Sequence, residues 1–204
     1  MTVRFQTTGS LLDALTTVAE TGAAIRAAAV LFIAALTAAA AQVSLPLPFT
    51  PVPFTLQPMI VLLGGAVLGS RLGLSSQVLY LAAGIAGLPV FAASPVLPQG
   101  ALRLLGPTGG YLMAYPLAAF VAGWLAERGL DRRYWTSVVA MAAGLAVVFT
   151  CGVAWLAWFA RPAAGVTVAL GTGLFPFLPA DIVKLLVAAA IMPAAWKLLG
   201  TRQG

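Results

Sequence analysis

The sequence predicts an all-α integral membrane protein with six transmembrane helices, whose long outer loops cap a ligand pocket. Of its 204 residues, 61% are hydrophobic and only 8% are charged. The mean hydropathy is +1.01. A bilayer core needs roughly 20 apolar helical residues per span. The chain is therefore expected to form one membrane domain, residues 23–204, preceded by a cytoplasmic amphipathic segment, residues 1–22.

Six apolar segments account for the predicted helices. They cover about residues 24–43, 58–68, 72–88, 109–126, 134–159 and 181–199. The second segment is well short of the roughly 20 residues that a bilayer requires. We therefore expect coiled or re-entrant backbone beside it, buried within the protein, because unpaired backbone groups are not tolerated in lipid.

The polar N-terminal segment contains a helix-start signal. Ser10 followed by Asp13 resembles a capping box, with Asp in place of Glu or Gln. The apolar residues that follow share one helical stripe, so this segment is either a short helix on the bilayer surface or a frayed tail. The apolar run at 27–41 is interpreted as the first span, since about 26 residues precede it, more than in a usual secretory signal.

The basic residues predict the orientation. With six spans, one side holds eight of the eleven, namely Arg4, Arg26, Arg71, Arg128, Arg132, Arg133, Lys197 and Arg202. The other side holds Arg103, Arg161 and Lys184. The positive-inside rule therefore places both termini in the cytoplasm.

The outer connections differ from the short, charged cytoplasmic turns. They cover residues 44–57, 89–108 and 160–180, and they are rich in proline, glycine and aromatic residues. Such apolar loops are expected to fold over a cavity as a lid. The first, called here the proline-rich loop, is expected to be extended and without internal hydrogen bonds. Its Thr55 and Gln57 contact either a solute or the loop's own backbone, and for Thr50 the backbone role is favoured.

Three outer charges indicate a binding site. Asp181 and Lys184 are three residues apart at the start of the last apolar segment, so they share a helix face. A charge inside a span costs roughly 2.5 to 3.5 kcal/mol on insertion scales. Arg103 beside an apolar lid is expected to have an anionic partner, either in the protein or in a ligand. Together they suggest a site for a small polar or anionic solute, although Asp181 could instead cap the last helix and Arg103 could reach the interface.

Several classes of function are excluded. Histidine is absent and Cys151 is the single cysteine, which argues against a metal site and excludes an internal disulfide. No Gly-Lys dipeptide is present, so the phosphate-binding loop of an ATPase is missing. The basic residues are scattered, which argues against nucleic acid. No nucleophile with a base or acid pair is evident, so we expect neither catalytic residues nor a cofactor.

Small residues in the first span form closely spaced pairs. Ala34 with Ala38, and Ala35 with Ala39, have small-xxx-small spacing. Gly65, Gly69 and Gly73 repeat it. Internal packing is the default explanation, and an alanine face left outward would suit docking to another membrane subunit.

Four motifs follow one another along the chain. They are Pro53-Phe54-Thr55-Leu56-Gln57, Gly87-Leu88-Pro89-Val90-Phe91, Gly106-Pro107-Thr108-Gly109-Gly110-Tyr111 and Phe175-Pro176-Phe177-Leu178-Pro179-Ala180-Asp181-Ile182-Val183-Lys184. Together they resemble the BioY family of biotin-binding substrate-specificity (S) components of energy-coupling factor (ECF) transporters. The resemblance covers about residues 24–199 and does not include the first 22.

The resemblance implies a site, a ligand and partners. Biotin would contact Arg103, Asp181 and Lys184, with Thr55, Gln57 and Tyr111 as further candidates. The partners would be a transmembrane coupling subunit, which meets Ala34, Ala35, Ala38 and Ala39, and two ATP-binding-cassette ATPases in a bacterial cytoplasmic membrane. Phe54, Phe91, Tyr111 and Phe177 would supply apolar walls or ordinary packing. Which cation takes which end of biotin stays open.

Other functions compete with biotin uptake. The chain could be an S component for another small anionic vitamin, a structural membrane subunit or channel, or an intramembrane enzyme. A channel is disfavoured because no ring or row of like charge is present. An enzyme is disfavoured because the outward carboxylate of Asp181 stands alone.

Overall fold

A computed structural model describes residues 9–16, 22–94, 97–160 and 163–201, without the side chains of 14–16 and 199–201. Arg4, Arg161 and Arg202 lie outside the described residues. The helices are α1 (Leu11–Thr16), α2 (Gly22–Gln42), α3 (Gln57–Leu68), α4 (Ser70–Ile85), α5 (Gly109–Glu127), α6 (Tyr134–Trp158), α7 (Val166–Gly173) and α8 (Leu178–Thr201). Two short strands, β1 (Ser44–Leu45) and β2 (Phe54–Thr55), and a 3₁₀ helix (Ala101–Leu105) complete the order.

Each of the six predicted apolar segments is helical, in α2 to α6 and α8. Within the described residues four of them, α2, α5, α6 and α8, are long and apolar enough to cross a membrane. Helix α3 has 12 residues, which corresponds to roughly 18 Å at 1.5 Å per residue. The connection before it contains β1 and β2 and is buried only at Val52 and Thr55, whereas we expected coiled or re-entrant backbone buried within the protein.

Helix α5 lies at the centre of the bundle and packs against α3, α4 and α6. Glycines allow this close approach. A Cβ on Gly65 would collide with the backbone carbonyl of Ala119 in α5, and one on Gly123 would collide with the backbone around Gly69. Gly69 itself, with a φ of 84°, forms the sharp turn between α3 and α4. These glycines therefore serve internal packing, as the default interpretation holds.

Helix α1 packs against α2 and α3 at one end of the bundle. The predicted capping box is confirmed: the backbone N–H of Ser10 donates to Asp13 Oδ2, and the N–H of Asp13 donates to Ser10 Oγ. Leu11 and Leu12 are buried, Leu12 in a cluster with Ile33 and Leu68. These two residues of the predicted apolar stripe therefore contact protein. The rest of the stripe lies outside the described side chains, so the interpretation of the segment as a surface-bound helix or a frayed tail stays a prediction.

The opposite end carries the three outer connections. β1 and β2 pair antiparallel, with Ser44 opposite Thr55, so the proline-rich loop is a hairpin. The N–H of Thr50 also donates to the carbonyl of Leu47. The expectation of a loop without internal hydrogen bonds was therefore wrong, because its prolines leave both ends free to pair. The second connection contains the 3₁₀ helix, and the third contains α7.

Candidate functional site

Asp181 and Lys184 form an ion pair in the first turns of α8. Their side chains keep only 6% and 11% of their exposed surface. Helix α8 begins at Leu178, and the N–H of Asp181 already donates to the carbonyl of Phe177. The helix-capping alternative for Asp181 was therefore wrong. Pro179 is tolerated in this first turn because no intrahelical N–H bond is required there.

The ammonium of Lys184 has two further partners from the proline-rich loop. Its Nζ donates to the backbone carbonyl of Thr55 at 2.7 Å. It also lies 4.0 Å from the ring centroid of Phe54, which stacks on Phe177 at 6.5 Å. A cation over an aromatic face is favourable where water is excluded. Helix α8 and the hairpin are thus joined through one lysine.

Arg103 is buried in the 3₁₀ helix, with 1% of its surface exposed. Its Nη2 donates to the carbonyl of Ala92 at 2.5 Å, and its Nη1 to the carbonyls of Leu97 and Pro98. Burial excludes an arginine extended to the membrane interface, the alternative raised by the sequence. Burial also lowers the guanidinium pKa, and arginine still remains protonated in proteins.

No carboxylate among the described residues forms an ion pair with Arg103. Its Nε is buried and has no hydrogen-bond partner. The anionic partner that the sequence predicts is thus not supplied by this part of the chain. A buried guanidinium with neutral partners and a spare donor is suited to an anionic ligand.

Two small cavities connect the three charges. Arg103 lines one, of about 30 Å³, and Asp181 and Lys184 line the other, of about 40 Å³. Both are bounded by the same five residues, Val52, Pro53, Thr55, Tyr111 and Tyr115. We therefore describe them as two lobes of one cleft, with the ion pair in one lobe and the unpaired cation in the other.

Both lobes are narrow. Lobes of this size hold water, which needs a cavity of roughly 10–15 Å³, whereas small-molecule pockets measure about 300–1,000 Å³. The proline-rich loop lines both lobes with Val52, Pro53 and Thr55. Thr50 Oγ1 donates to the carbonyl of Thr172 in α7 and accepts from the N–H of Val52. This agrees with the backbone role that the sequence favours for Thr50.

Thr55, Gln57 and Tyr111 all line the cleft, but their polar atoms already have protein partners. The N–H of Gln57 donates to Thr55 Oγ1, and Gln57 Nε2 donates to Tyr80 Oη at 2.7 Å. Tyr111 Oη donates to the carbonyl of Gly173 at 2.9 Å. In this arrangement their polar atoms bond within the protein, and the alternative of solute contact by Thr55 and Gln57 stays a prediction.

Two residues at the cleft were missed by the sequence reasoning. Thr108 is 5% exposed, lines the Arg103 lobe, and has a hydroxyl without a hydrogen-bond partner. Tyr115, one helical turn after Tyr111, lines both lobes. The signal for Thr108 was its place in the Gly-Pro-Thr-Gly-Gly-Tyr motif. For Tyr115 the sequence signal was its i+4 spacing from Tyr111 alone.

The four aromatic candidates for apolar walls separate into two groups. Phe177 and Tyr111 line the cleft. Phe54 contacts Lys184 instead, and Phe91 packs edge-on against Tyr80 in the core. A side chain at Gly84 would overlap the Phe91 ring. Phe91 is therefore an internal packing residue rather than a wall of the lobes.

The alanine face of α2 is divided between inside and outside. Ala34 is buried in the main core with 7% exposure, and Ala38 packs against that core. Ala35 and Ala39 are exposed. The pair Ala34 and Ala38 begins one residue before the pair Ala35 and Ala39, so the two pairs point about 100° apart around the helix. Ala34 therefore does not belong to an outward face.

Comparisons with known proteins agree on one family. A family model described as "BioY family" matches residues 11–201. A probable biotin transporter BioY of Pyrococcus horikoshii is 42% identical over 136 residues, covering 67% of this chain and 75% of the relative. The biotin transporter BioY of Thermotoga maritima is 40% identical over 136 residues, covering 67% of this chain and 76% of the relative.

A solved structure has the same fold. The crystal structure of the S-component for biotin from an ECF-type ABC transporter superposes with a TM-score of 0.77. The two chains are 25% identical, and the match covers 89% of this chain and 95% of the chain in the crystal structure.

Proposed function

This chain belongs to the BioY family, and from that premise we propose that it is the biotin-binding membrane subunit of an ECF-type ABC transporter. Its function is biotin uptake, as in the relatives named biotin transporter. The finer assignments below, of residues, membrane topology and partners, are part of the same proposal.

The observation that carries the proposal is the charge arrangement of the cleft. Asp181 and Lys184 neutralise each other in one lobe, and Arg103 is left without an anion in the other. Biotin offers a complementary distribution: a neutral ureido ring, with N–H donors and a carbonyl acceptor, and a carboxylate tail. The carboxylate would balance the one charge in the cleft that the described protein leaves uncompensated.

We therefore assign the two ends of biotin to the two lobes. Asp181 accepts from a ureido N–H, and the adjacent Lys184 donates to the ureido carbonyl. Arg103 pairs with the carboxylate through its free Nε, assisted by the unpartnered hydroxyl of Thr108. Tyr111 and Phe177 line the space between them. Thr55 and Gln57 hold the loop that covers the ligand.

Entry requires the cleft to widen. The proline-rich loop and α7 form the lid, and opening separates Thr50 from Thr172 and Lys184 from the carbonyl of Thr55. The ring hydrogen-bond donors and acceptors of biotin then replace the contacts that the loop loses.

The proposed topology has six transmembrane helices, α2 to α6 and α8, with both termini in the cytoplasm of a bacterium. The short helices α3 and α4 cross together with their buried connections. The partners are a transmembrane coupling subunit and ATPases, because the chain lacks a phosphate-binding loop of its own. The exposed Ala35 and Ala39 offer the coupling subunit a close approach.

Direct binding tests the proposal. The purified protein in detergent should bind biotin with one-to-one stoichiometry in isothermal titration calorimetry, far below the millimolar range. Lipoate serves as the matched competitor, since it has a sulfur ring and a carboxylate tail but no ureido group. Absence of saturable biotin binding by protein that unfolds cooperatively on heating would exclude the assignment. Equal affinity for lipoate would instead favour a general site for small anionic vitamins.

A further inference from the structure

A second cavity lies at the end of the bundle opposite the biotin cleft. It has a volume of about 690 Å³, far larger than either lobe of the cleft. Helices α1, α2 and α4 and the end of α5 converge there. It is lined by Asp13, Arg26, Leu68, Ser70, Arg71, Leu72, Phe120, Trp124, Glu127 and Arg128. The proposed function assigns no role to this cavity.

The cavity lining carries an excess of positive charge. Three arginines, Arg26, Arg71 and Arg128, face two carboxylates, which leaves a net charge of one. Glu127 is already engaged, since it accepts from the N–H and the hydroxyl of Ser70 at 2.7 and 3.0 Å. Asp13 pairs with Arg26 at 3.6 Å and accepts from Ser10.

The other two arginines are available to an anion. Arg71 is exposed and forms no ion pair with any carboxylate in the described ranges. Arg128 stacks on the Trp124 ring at 3.3 Å and donates one N–H to the carbonyl of Trp124. A stacked guanidinium keeps its remaining donors in a fixed plane, which suits the oxygens of a phosphate.

Apolar side chains continue from these arginines toward the middle of the bundle. Leu72, Phe120 and Trp124 line the same cavity, and Trp124 is 42% exposed. Trp124 stands one turn before the end of α5 at Glu127. Tryptophan is enriched at the level of lipid headgroups, where one side of the ring is apolar and the other is wet. The lining therefore passes from charged to apolar within one cavity.

We propose that this cavity binds the phosphate of an anionic phospholipid, with the headgroup on Arg71 and Arg128 and an acyl chain along Leu72 and Phe120. The phosphate chemistry is shared with inorganic phosphate. The apolar half of the lining favours the lipid as its source. The bound lipid would join the ends of α4 and α5 and hold the protein at a fixed depth in the cytoplasmic leaflet.

The test compares lipid binding by three forms of the protein in detergent, using native mass spectrometry. They are the wild type, the double variant Arg71→Gln/Arg128→Gln and the control Arg133→Gln, which removes an exposed arginine that does not line the cavity. Dioleoyl phosphatidylglycerol is the probe, dioleoyl phosphatidylcholine is the zwitterionic comparison, and inorganic phosphate is the soluble competitor. Thermal unfolding of each form verifies its folding.

We expect phosphatidylglycerol to bind the wild type more tightly than phosphatidylcholine. The double variant should lose about 30-fold in affinity, because each basic residue near an anionic headgroup contributes roughly fivefold. Arg133→Gln should stay within about twofold of the wild type. This measurement needs no biotin, so it can fail independently of the proposed function.

Three results would overturn the assignment. A loss per removed charge in Arg133→Gln as large as that in the double variant would show general attraction to a basic surface. Complete displacement of the lipid by millimolar phosphate would identify a soluble phosphate site. Unchanged lipid binding, with loss of co-purifying transporter subunits from the double variant, would identify a protein-docking surface instead.

Discussion

The ammonium of Lys184 donates a 2.7 Å hydrogen bond to the backbone carbonyl of Thr55, 129 residues earlier in the chain. The same ammonium pairs with Asp181. One side chain thus joins α8 to β2, the strand near the end of the proline-rich loop. In the proposed function, the position of this loop and the charge balance at the site are coupled through this lysine.

Replacement of the ion pair should weaken biotin binding. Asp181→Asn and Lys184→Ala each remove one charged hydrogen-bond partner of the ureido ring, so each should cost about 1.5–3 kcal/mol of binding free energy. Isothermal titration calorimetry measures the change. Lys184→Ala should show the larger loss, because it also leaves the buried Asp181 carboxylate without its cation and releases the strand at Thr55.

Ile182→Ala is the control for these two variants. Ile182 lies on the same helical turn but is 44% exposed and lines neither lobe. Its truncation should leave affinity unchanged. Unaltered affinity in both Asp181→Asn and Lys184→Ala would remove the pair from the biotin site.

The carboxylate assignment predicts a ligand-dependent effect at Arg103. Arg103→Lys retains the charge but loses the planar guanidinium that donates to three carbonyls. It should weaken the binding of biotin by about 1.5–3 kcal/mol and that of biotin methyl ester much less. Lys184→Ala should weaken the binding of biotin and of biotin methyl ester to the same extent. The reversed pattern would assign the carboxylate to Lys184.

The contact between Thr50 and Thr172 predicts a lid effect on rates. Thr50→Val removes a hydroxyl that donates to the Thr172 carbonyl at 2.6 Å. A lost hydrogen bond of about 0.5–1.5 kcal/mol should raise the dissociation rate of biotin roughly two- to tenfold. Stopped-flow or filter-binding kinetics would measure it.

Thr172→Val is the matched control for the lid. The Thr172 hydroxyl donates within α7 to Val168, and its backbone carbonyl, the acceptor for Thr50, remains after substitution. Its dissociation rate should match the wild type. Identical rates in all three proteins would exclude this contact as a lid element.

A stability prediction concerns the turn between α5 and α6. Asp131 is fully buried and accepts from Trp196 Nε1 at 2.6 Å. Trp196→Phe keeps a ring beneath Arg132 but removes that donor, which should cost about 1–3 kcal/mol of stability. Biotin affinity should be unchanged, since neither residue lines the cleft. Thermal unfolding with Trp135→Phe, at a 73% exposed position, as the control would measure it.

The loss of stability in Trp196→Phe should depend on pH. Burial raises the pKa of Asp131, and the Trp196 hydrogen bond and Arg132 oppose that rise. Without Trp196 the folded pKa rises further above the ordinary carboxyl value of about 4. The folded state then binds more protons, so stability falls as the pH rises through that interval. Trp196→Phe should therefore lose the least stability, relative to the wild type, at the acidic end of the pH range. A deficit independent of pH would contradict this explanation.

Much of the helical framework could be predicted because lipid imposes strict requirements on sequence. A run of apolar residues without charges can satisfy its backbone in a membrane only as a helix. The boundaries of α2, α5 and α6 accordingly fall within about two residues of the predicted segments. The start of α8 was missed by three residues, because Pro179 suggests a break but is also compatible with a first helical turn.

The identity of the charged residues in the cleft was also determined by the sequence. Arg103, Asp181 and Lys184 stand out because charges are rare in an apolar chain, and the four motifs around them are typical of one family. Their spacing fixes one relationship, the i, i+3 pair on α8. It does not fix the place of Arg103, which lies on a different connection.

Only the tertiary structure decided which contacts these residues make. It placed Arg103 against three backbone carbonyls and directed Lys184 to Thr55. It also placed Arg103 and the ion pair in two lobes that the same five residues bound. It also turned Ala34 inward and Ala35 outward. Long-range contacts of this kind depend on how helices and loops pack in three dimensions. Local periodicity and residue type specify each element's faces, whereas the partner of each face is set by the assembled bundle.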